Sequence, residues 1–142
     1  MAFLKIVKGQ LLFILPLIIL FSAHSAMAVE PDKCDVHNAD CRATLPESKI
    51  TLDITPKPVK AMKDLIFRLE VSGKQPDALP YINLGMPGMK MGPNRVILET
   101  EKEGVYKGRG VIVRCPSGKR TWKADLTLPG LGTVQFVFDV IY

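Results

Sequence analysis

Residues 121–140 read TWKADLTLPGLGTVQFVFDV, and this stretch decides the fold class. Apolar residues alternate with polar ones before the segment Pro129–Gly132, and the same alternation returns after it. Because successive side chains of a strand point to opposite faces, a period of two predicts two half-buried β-strands. The proline and glycines between them predict a turn.

The same alternation extends back through the chain to Lys49. It defines about seven candidate strands separated by turn residues, which predicts an antiparallel β-sandwich or barrel. No segment shows a convincing helical period. The residues that we expect to face inward and fill the core include Phe67, Leu69, Val111, Val113, Trp122, Leu126, Phe136 and Phe138.

Residues 1–28 have the three parts of a secretory signal peptide. Lys5 and Lys8 supply the positive charge, Leu11 to Phe21 is an apolar run, and Ala-Met-Ala at residues 26–28 is a cleavage site. We therefore predict a periplasmic or secreted protein. The alternative is that the segment stays attached as an N-terminal membrane anchor, although its apolar run is short for a span.

Composition limits the classes of partner. The formal net charge is +5, and loss of Lys5 and Lys8 with the signal peptide lowers it to +3. So small an excess of positive charge in an exported protein does not predict a nucleic-acid partner. A group of basic residues, Lys107, Arg109, Arg114, Lys119, Arg120 and Lys123, has two interpretations: a solvated surface, or a patch for an acidic partner or lipid headgroups.

Residues 29–48 are polar and interrupted by prolines, so we expect an irregular N-terminal segment before the domain of residues 49–142. This segment contains Cys34 and Cys41, and we predict a disulfide between them because export brings the chain into an oxidising compartment. The rival pairings join one of the two to Cys115. A zinc or copper site of Cys34, His37, Cys41 and Cys115 is a further alternative.

The unusual segment of the chain is LGMPGMKMGPN, residues 84–94, here called the Met loop. Its Pro-Gly pair is typical of the centre of a type II turn, which would bring Met86 and Met89 to within about 7 Å at Cα. If the chain then extends, Met89 and Met91 project to the same side. We therefore expect the three thioethers to converge.

Thioether sulfur is a soft, uncharged ligand that suits Cu(I) and discriminates against Zn²⁺, Mg²⁺ and Ca²⁺. The Met loop is therefore a candidate Cu(I) site. The competing interpretation is that flexible methionines fill one end of the sandwich, because methionine is a common core filler.

The segment from Lys49 to Tyr142 resembles the YtkA-like/FixH-like domains. The resemblance rests on Leu-Asp-Ile at residues 52–54 with the following Pro-Lys-Pro and the strand Asp64–Phe67, and on the Met-Pro-Gly-Met-Lys-Met-Gly loop. It also rests on Gly104–Gly108, which leads to a strand, a turn and Trp122. The resemblance implies an exported, immunoglobulin-like antiparallel β-sandwich that takes part in copper handling, heavy-metal efflux or oxidase assembly.

Members of this family often place histidines beside the loop methionines, whereas this sequence has Lys90 and Asn94 there. That departure favours Cu(I) over Cu(II). The expected function is that of a copper-binding or metal-handling accessory protein, with a membrane efflux or assembly complex as partner. The alternative is a metal-free protein–protein adaptor of an envelope complex, which uses the Met loop as an apolar contact surface.

Catalysis is not expected. His37 is the only histidine after the signal peptide, and a Ser-His-Asp set would have to take its base from the irregular N-terminal segment, so we predict no such set. The glycine pairs sit at strand ends without a following helix, which excludes a phosphate-binding loop, and we infer no small-molecule substrate. Cys115 is expected to be a buried thiol, with a reactive thiol near basic residues as the alternative.

Overall fold

Strands make up the regular secondary structure of residues 33–142, the part of the chain that this computed structural model describes. The predicted signal peptide and residues 29–32 lie outside the described residues. The strand bounds are β1 (Cys41–Leu45), β2 (Ser48–Thr55), β3 (Asp64–Gly73), β4 (Tyr81–Gly85), β5 (Arg95–Ile97), β6 (Glu99–Lys102), β7 (Val105–Val111), β8 (Thr121–Leu128) and β9 (Gly132–Asp139).

The alternating stretch of residues 121–140 forms the antiparallel pair β8 and β9. Trp122 lies opposite Phe138, and both side chains are completely buried. Every second residue of β8 is buried, as the period of two predicted. Gly130 has a φ of +80° in the connecting turn, a conformation that glycine adopts without steric cost.

Two antiparallel sheets pack face to face. One has the strand order β1-β2-β3-β7-β6 and the other the order β5-β4-β8-β9. The buried face of each sheet supplies one continuous apolar core, which includes Phe67, Leu69, Trp122, Leu126, Phe136 and Phe138. The prediction of an all-β antiparallel sandwich is confirmed.

The described residues form more strands than the seven or so that the sequence predicted. The candidate strand Val96–Thr100 is in fact two strands, β5 and β6, which belong to different sheets. Leu98 makes the crossing between them, with its side chain fully buried and its N–H donated to the Pro80 carbonyl at 3.0 Å. A chain that changes sheet without a turn residue keeps its alternation, so sequence periodicity could not reveal the break.

The prediction that residues 29–48 are irregular is wrong for residues 41–45, which form β1. This strand pairs antiparallel with β2, placing Cys41 opposite Leu52. Only Pro46 and Glu47 separate the two strands. Its low apolar content is explained by its position at the edge of the sheet, because an edge strand exposes much of its length to water.

The prediction that Val111 and Val113 fill the core is also wrong. They are 36% and 40% exposed, whereas Ile112 between them is fully buried. The inward positions of β7 before Ile112 include Gly108 and Gly110. A Cβ at Gly108 would collide with the Ile97 carbonyl oxygen, and a Cβ at Gly110 would collide with the Val96 side chain. Because glycine carries no side chain, these inward positions show no apolar residue in the sequence. The apolar residues that alternate there are the outward Val111 and Val113, so the pattern predicted the wrong buried face.

Antiparallel pairing gathers the connections at two ends of the sandwich. One end, called the methionine end here, carries the loops 56–63, 86–94 and 112–120 together with residues 33–40 and 140–142. The opposite end carries the connections 46–47, 74–80, 103–104 and 129–131. Within residues 33–142, no helix has the length and apolar character needed to cross a bilayer.

Candidate functional site

The centre of the Met loop is the tight turn that the sequence predicted. The N–H of Met89 donates to the carbonyl oxygen of Met86 at 3.2 Å, which closes the turn around Pro87 and Gly88. Gly88 has a φ of +69°, as required at the third position of a type II turn.

Asn94 fixes the base of the Met loop. Its carbonyl oxygen accepts the N–H of Leu84 at 2.8 Å, which ties the two ends of the loop together. Its side-chain amide donates to the Val111 carbonyl at 3.0 Å, so the loop of one sheet is anchored to the last residue of β7 in the other. The loop is therefore held from both sheets.

The three methionines of the loop occupy different environments. Met86 is 2% exposed and belongs to the core, whereas Met89 is 36% exposed and Met91 is partly buried against the core. Met89 and Met91 line a common surface pocket of about 230 Å³, and Met86 is not part of that lining. The structure thus brings two of the three predicted thioethers to one pocket and places the third inside the sandwich.

The polar wall of this pocket comes from β8, whose neighbour in the sheet is β4. Lys123 and Asp125 both face the pocket and form an ion pair at 2.7 Å. Gln135 donates to the other oxygen of Asp125 at 2.6 Å. Lys123 and Asp125 alternate with the buried residues of β8, and the pairing of Gly85 with Lys123 sets them beside the loop.

The cysteines near the N-terminus form the predicted disulfide, Cys34–Cys41. The alternative metal site of cysteines and His37 is wrong, because a disulfide leaves no thiolate to bind an ion. His37 is also engaged elsewhere: its Nδ1 accepts the N–H of Val59 at 3.1 Å. Among residues 33–142, no three His, Cys, Asp or Glu side chains converge on one point.

Cys115 is the free cysteine of the described residues, and its predicted burial is confirmed at 5% exposure. Its Sγ lies 3.0 Å from the Ser117 hydroxyl, and its N–H donates to the Tyr142 hydroxyl at 3.1 Å. Hydrogen bonding to Ser117 lowers the pKa of the thiol, and the nearby Lys119 lowers it further, against the opposing effect of burial. The thiol therefore has a lowered pKa but is buried from solvent.

A larger pocket of about 510 Å³ lies away from the Met loop, where β6 meets β7. Its wall contains Glu99, Glu101, Lys107 and Arg109. Glu101 forms ion pairs with Arg68 at 3.4 Å and with Lys107 at 3.7 Å. Its lining contains no sulfur or imidazole ligand, and its exposed charges of both signs are typical of a solvated surface. We therefore take the smaller Met loop pocket as the candidate site.

A scan against protein-family models, a search of curated proteins and a search of solved structures each found no match to the chain. Membership of the YtkA-like/FixH-like family stays a prediction.

Proposed function

We propose that the protein binds Cu(I) at the Met loop and passes it to a partner, as a metal-handling accessory protein of the cell envelope. The observation that carries the proposal is the shared pocket of Met89 and Met91 beside a fixed Pro-Gly turn. Thioether sulfur favours Cu(I) over hard divalent ions and needs no deprotonation to bind. The proposed location rests on the signal-peptide pattern of residues 1–28.

Two accessible thioethers suit transfer better than storage. Because both ligands are uncharged, they neutralise none of the charge of the ion, and a site of two such ligands releases it more readily than a thiolate site. Met86 would complete a three-sulfur site only by leaving the core, where it is 2% exposed. That movement would open a cavity and destabilise the fold.

The Lys123–Asp125 ion pair affects what the pocket can hold. An unpaired ammonium beside two uncharged sulfurs would repel an entering cation. The contact of Lys123 with Asp125 at 2.7 Å offsets that charge, so the pocket wall is close to neutral. A soft monovalent cation is compatible with such a wall. A hard divalent ion would find one carboxylate in the lining, that of Asp125, and both of its oxygens already contact Lys123 or Gln135.

The test is anaerobic titration of the purified protein with Cu(I) against a competing chromophoric chelator. A Cys115→Ala background removes the free thiol, and the Cys34–Cys41 disulfide is left oxidised. We expect one equivalent to bind, and we expect the double substitution Met89→Leu and Met91→Leu to abolish binding. Met62→Leu is the matched control, because Met62 is an exposed methionine outside the Met loop.

A Met86→Leu variant separates two forms of the proposal. Unchanged affinity would mean that the two pocket methionines suffice, and a loss equal to that of the double variant would mean that all three sulfurs bind the ion. If the double variant and the Met62→Leu control bind Cu(I) equally well, the Met loop is not a copper site.

The second candidate function is a metal-free adaptor of an efflux or assembly complex. The observation that favours it is the 36% exposure of Met89, a flexible apolar side chain, at the tip of a loop that is fixed at its base. Partner capture that is lost on substitution of Met89 but is indifferent to copper would support the adaptor and contradict the copper site.

A further inference from the structure

A second group of exposed apolar side chains lies at the methionine end, outside the Met loop pocket. It consists of Met62, Val111, Val113 and Ile141, which are 63%, 36%, 40% and 36% exposed, and is called the Met62 patch here. Large apolar residues exposed together mark contact surfaces more often than residues exposed singly.

Backbone hydrogen bonds bring the members of the patch together. The N–H of Met62 donates to the Ile112 carbonyl at 2.8 Å, which sets Met62 beside the two valines that flank Ile112. The N–H of Ala61 donates to the Ile141 carbonyl at 2.8 Å on the other side. Residues 59–62 are thus held between the ends of two other segments.

Met62 is exposed in spite of a strained backbone. Its φ of +59° lies in the left-handed region, which a side chain of this size adopts at a cost of about 1 kcal/mol. The residue therefore gives the fold neither burial nor relaxed backbone geometry. Folding stability alone does not account for a methionine at this position.

Basic residues border the patch. The loops 56–63 and 112–120 contain Lys57, Lys60, Lys63, Arg114, Lys119 and Arg120 but no Asp or Glu. Among the residues that the structure describes, Lys57 is the one of these that forms an ion pair, with Asp53 at 2.9 Å. Lys60 and Lys63 flank a surface pocket of about 330 Å³, whose other charged wall residues are Lys57 and Asp64.

We infer that the Met62 patch and its flanking lysines form a docking surface for an anionic phospholipid membrane. Headgroup phosphates would meet the ammonium groups of Lys60 and Lys63, and the interfacial layer would accept the apolar side chains between them. The Met loop is anchored to Val111 through Asn94, so docking would also hold that loop beside the membrane.

The distribution of the residues favours a lipid surface over an acidic protein. The apolar side chains project from separate segments and are interspersed with lysines, and none of them lines the surface pocket beside Lys60 and Lys63. A membrane presents diffuse negative charge and needs no matched geometry. Long lysine stems also place their charge at the headgroups while the carbon chain stays in the interfacial layer.

The test is cosedimentation of the purified full-length protein with vesicles in metal-free buffer. One set is phosphatidylcholine alone, and the other contains about one third phosphatidylglycerol. The quantity compared is the ratio of the two association constants, because any contribution of the N-terminal segment is common to all variants. The absence of metal separates this test from the copper proposal.

We expect the double substitution Lys60→Gln and Lys63→Gln to lower the preference for anionic vesicles by about tenfold or more. The matched control, Lys49→Gln with Lys102→Gln, removes the same charge from exposed residues near the opposite end and should leave the preference unchanged. Met62→Gly fits the left-handed backbone, so it should fold normally. Because it removes no charge, it should lower the association constants for both sets of vesicles several-fold and leave their ratio unchanged.

Equal losses in the two lysine pairs would mean that binding follows net charge alone and would overturn the proposal. Wild-type protein that ignores anionic vesicles but is retained on immobilised polyglutamate would assign the surface to an acidic protein partner, which would also overturn it. If Met62→Gly and the Lys60→Gln, Lys63→Gln variant each bind vesicles as the wild type does, this surface is not the docking site.

Discussion

The two ends of the sandwich close the same core in different ways. At the opposite end, the connections are bonded to each other and to a strand. The Lys74 N–H donates to the Glu47 carbonyl at 3.0 Å, and the Val71 N–H of β3 donates to the Gly104 carbonyl at 2.8 Å. One large apolar side chain, Leu79, is exposed in its described connections, whereas the methionine end exposes Met89 and the whole Met62 patch. Those exposed side chains do not help to close the core, which is why both proposals are placed at the methionine end.

The largest expected difference between the ends concerns two glycines with positive φ. Gly73, at the opposite end, has a φ of +99°, and a Cβ there would collide with the backbone carbonyl of Glu47. Gly88, in the Met loop, has a φ of +69° and nothing within 4 Å of such a Cβ. We expect Gly73→Ala to lower the free energy of unfolding by about 3 kcal/mol and Gly88→Ala by about 1 kcal/mol.

Urea denaturation of both variants measures this difference, and each serves as the control for the other. If both variants lose the same free energy of unfolding, the opposite end is no more tightly closed than the Met loop, and the contrast between the two ends is wrong. A larger loss in Gly88→Ala would reverse it.

The methionine end contains a covalent link in addition to the tight turn of the Met loop. The Cys34–Cys41 disulfide joins residues seven positions apart and holds the segment that contacts Lys57 and Val59. Replacing both cysteines by alanine should lower the free energy of unfolding by about 2–3 kcal/mol, because the unfolded chain regains freedom.

The control is Cys115→Ala, which removes a buried thiol that forms no disulfide. We expect it to cost about 1 kcal/mol, the effect of a small cavity. If the double variant costs no more than this control, the disulfide adds no stability and the methionine end is held by its hydrogen bonds alone.

Much of the fold could be predicted from the sequence because most strands bury one face. The alternation of β8 and β9 was sufficient to identify them, and Trp122 and Phe138 are buried as predicted. The phase of β7 could not be predicted, because glycines occupy its inward face. Nor could the division at Leu98, because a crossing between sheets leaves the apolar pattern intact.

The candidate site was less predictable than the fold. The Pro-Gly turn followed from local chemistry, and the hydrogen bond between Met89 and Met86 confirms it. The direction of the Met86 side chain did not follow, because it depends on space in the core between two sheets. The position of the Lys123–Asp125 ion pair beside the Met loop also could not be predicted, because it depends on the pairing of β4 with β8, which no local sequence pattern reveals.

The smallest expected effect concerns Asp139, at the last position of β9 on the methionine end. Burial raises the pKa of this carboxyl, but hydrogen bonds from Lys33 and Thr121 together outweigh it, and the pKa lies below its ordinary value of 3.8. The Thr121 hydroxyl donates at 2.7 Å, and Lys33 forms an ion pair with the other oxygen.

A carboxyl with a lowered pKa in the folded state stabilises the fold above its unfolded-state pKa, and that stability is lost as the pH falls through the folded-state pKa. Asp139→Asn should therefore lower the free energy of unfolding near neutral pH by less than about 1 kcal/mol, because the pair is half exposed. The difference from wild type should shrink as the pH falls below the ordinary value of 3.8 and disappear once the pH is below the folded-state pKa. If the difference stays the same at acidic pH, Asp139 stabilises the fold through packing and not through its charge. The Lys33–Asp139 ion pair would then contribute no more to stability than a pair of solvated charges at the opposite end.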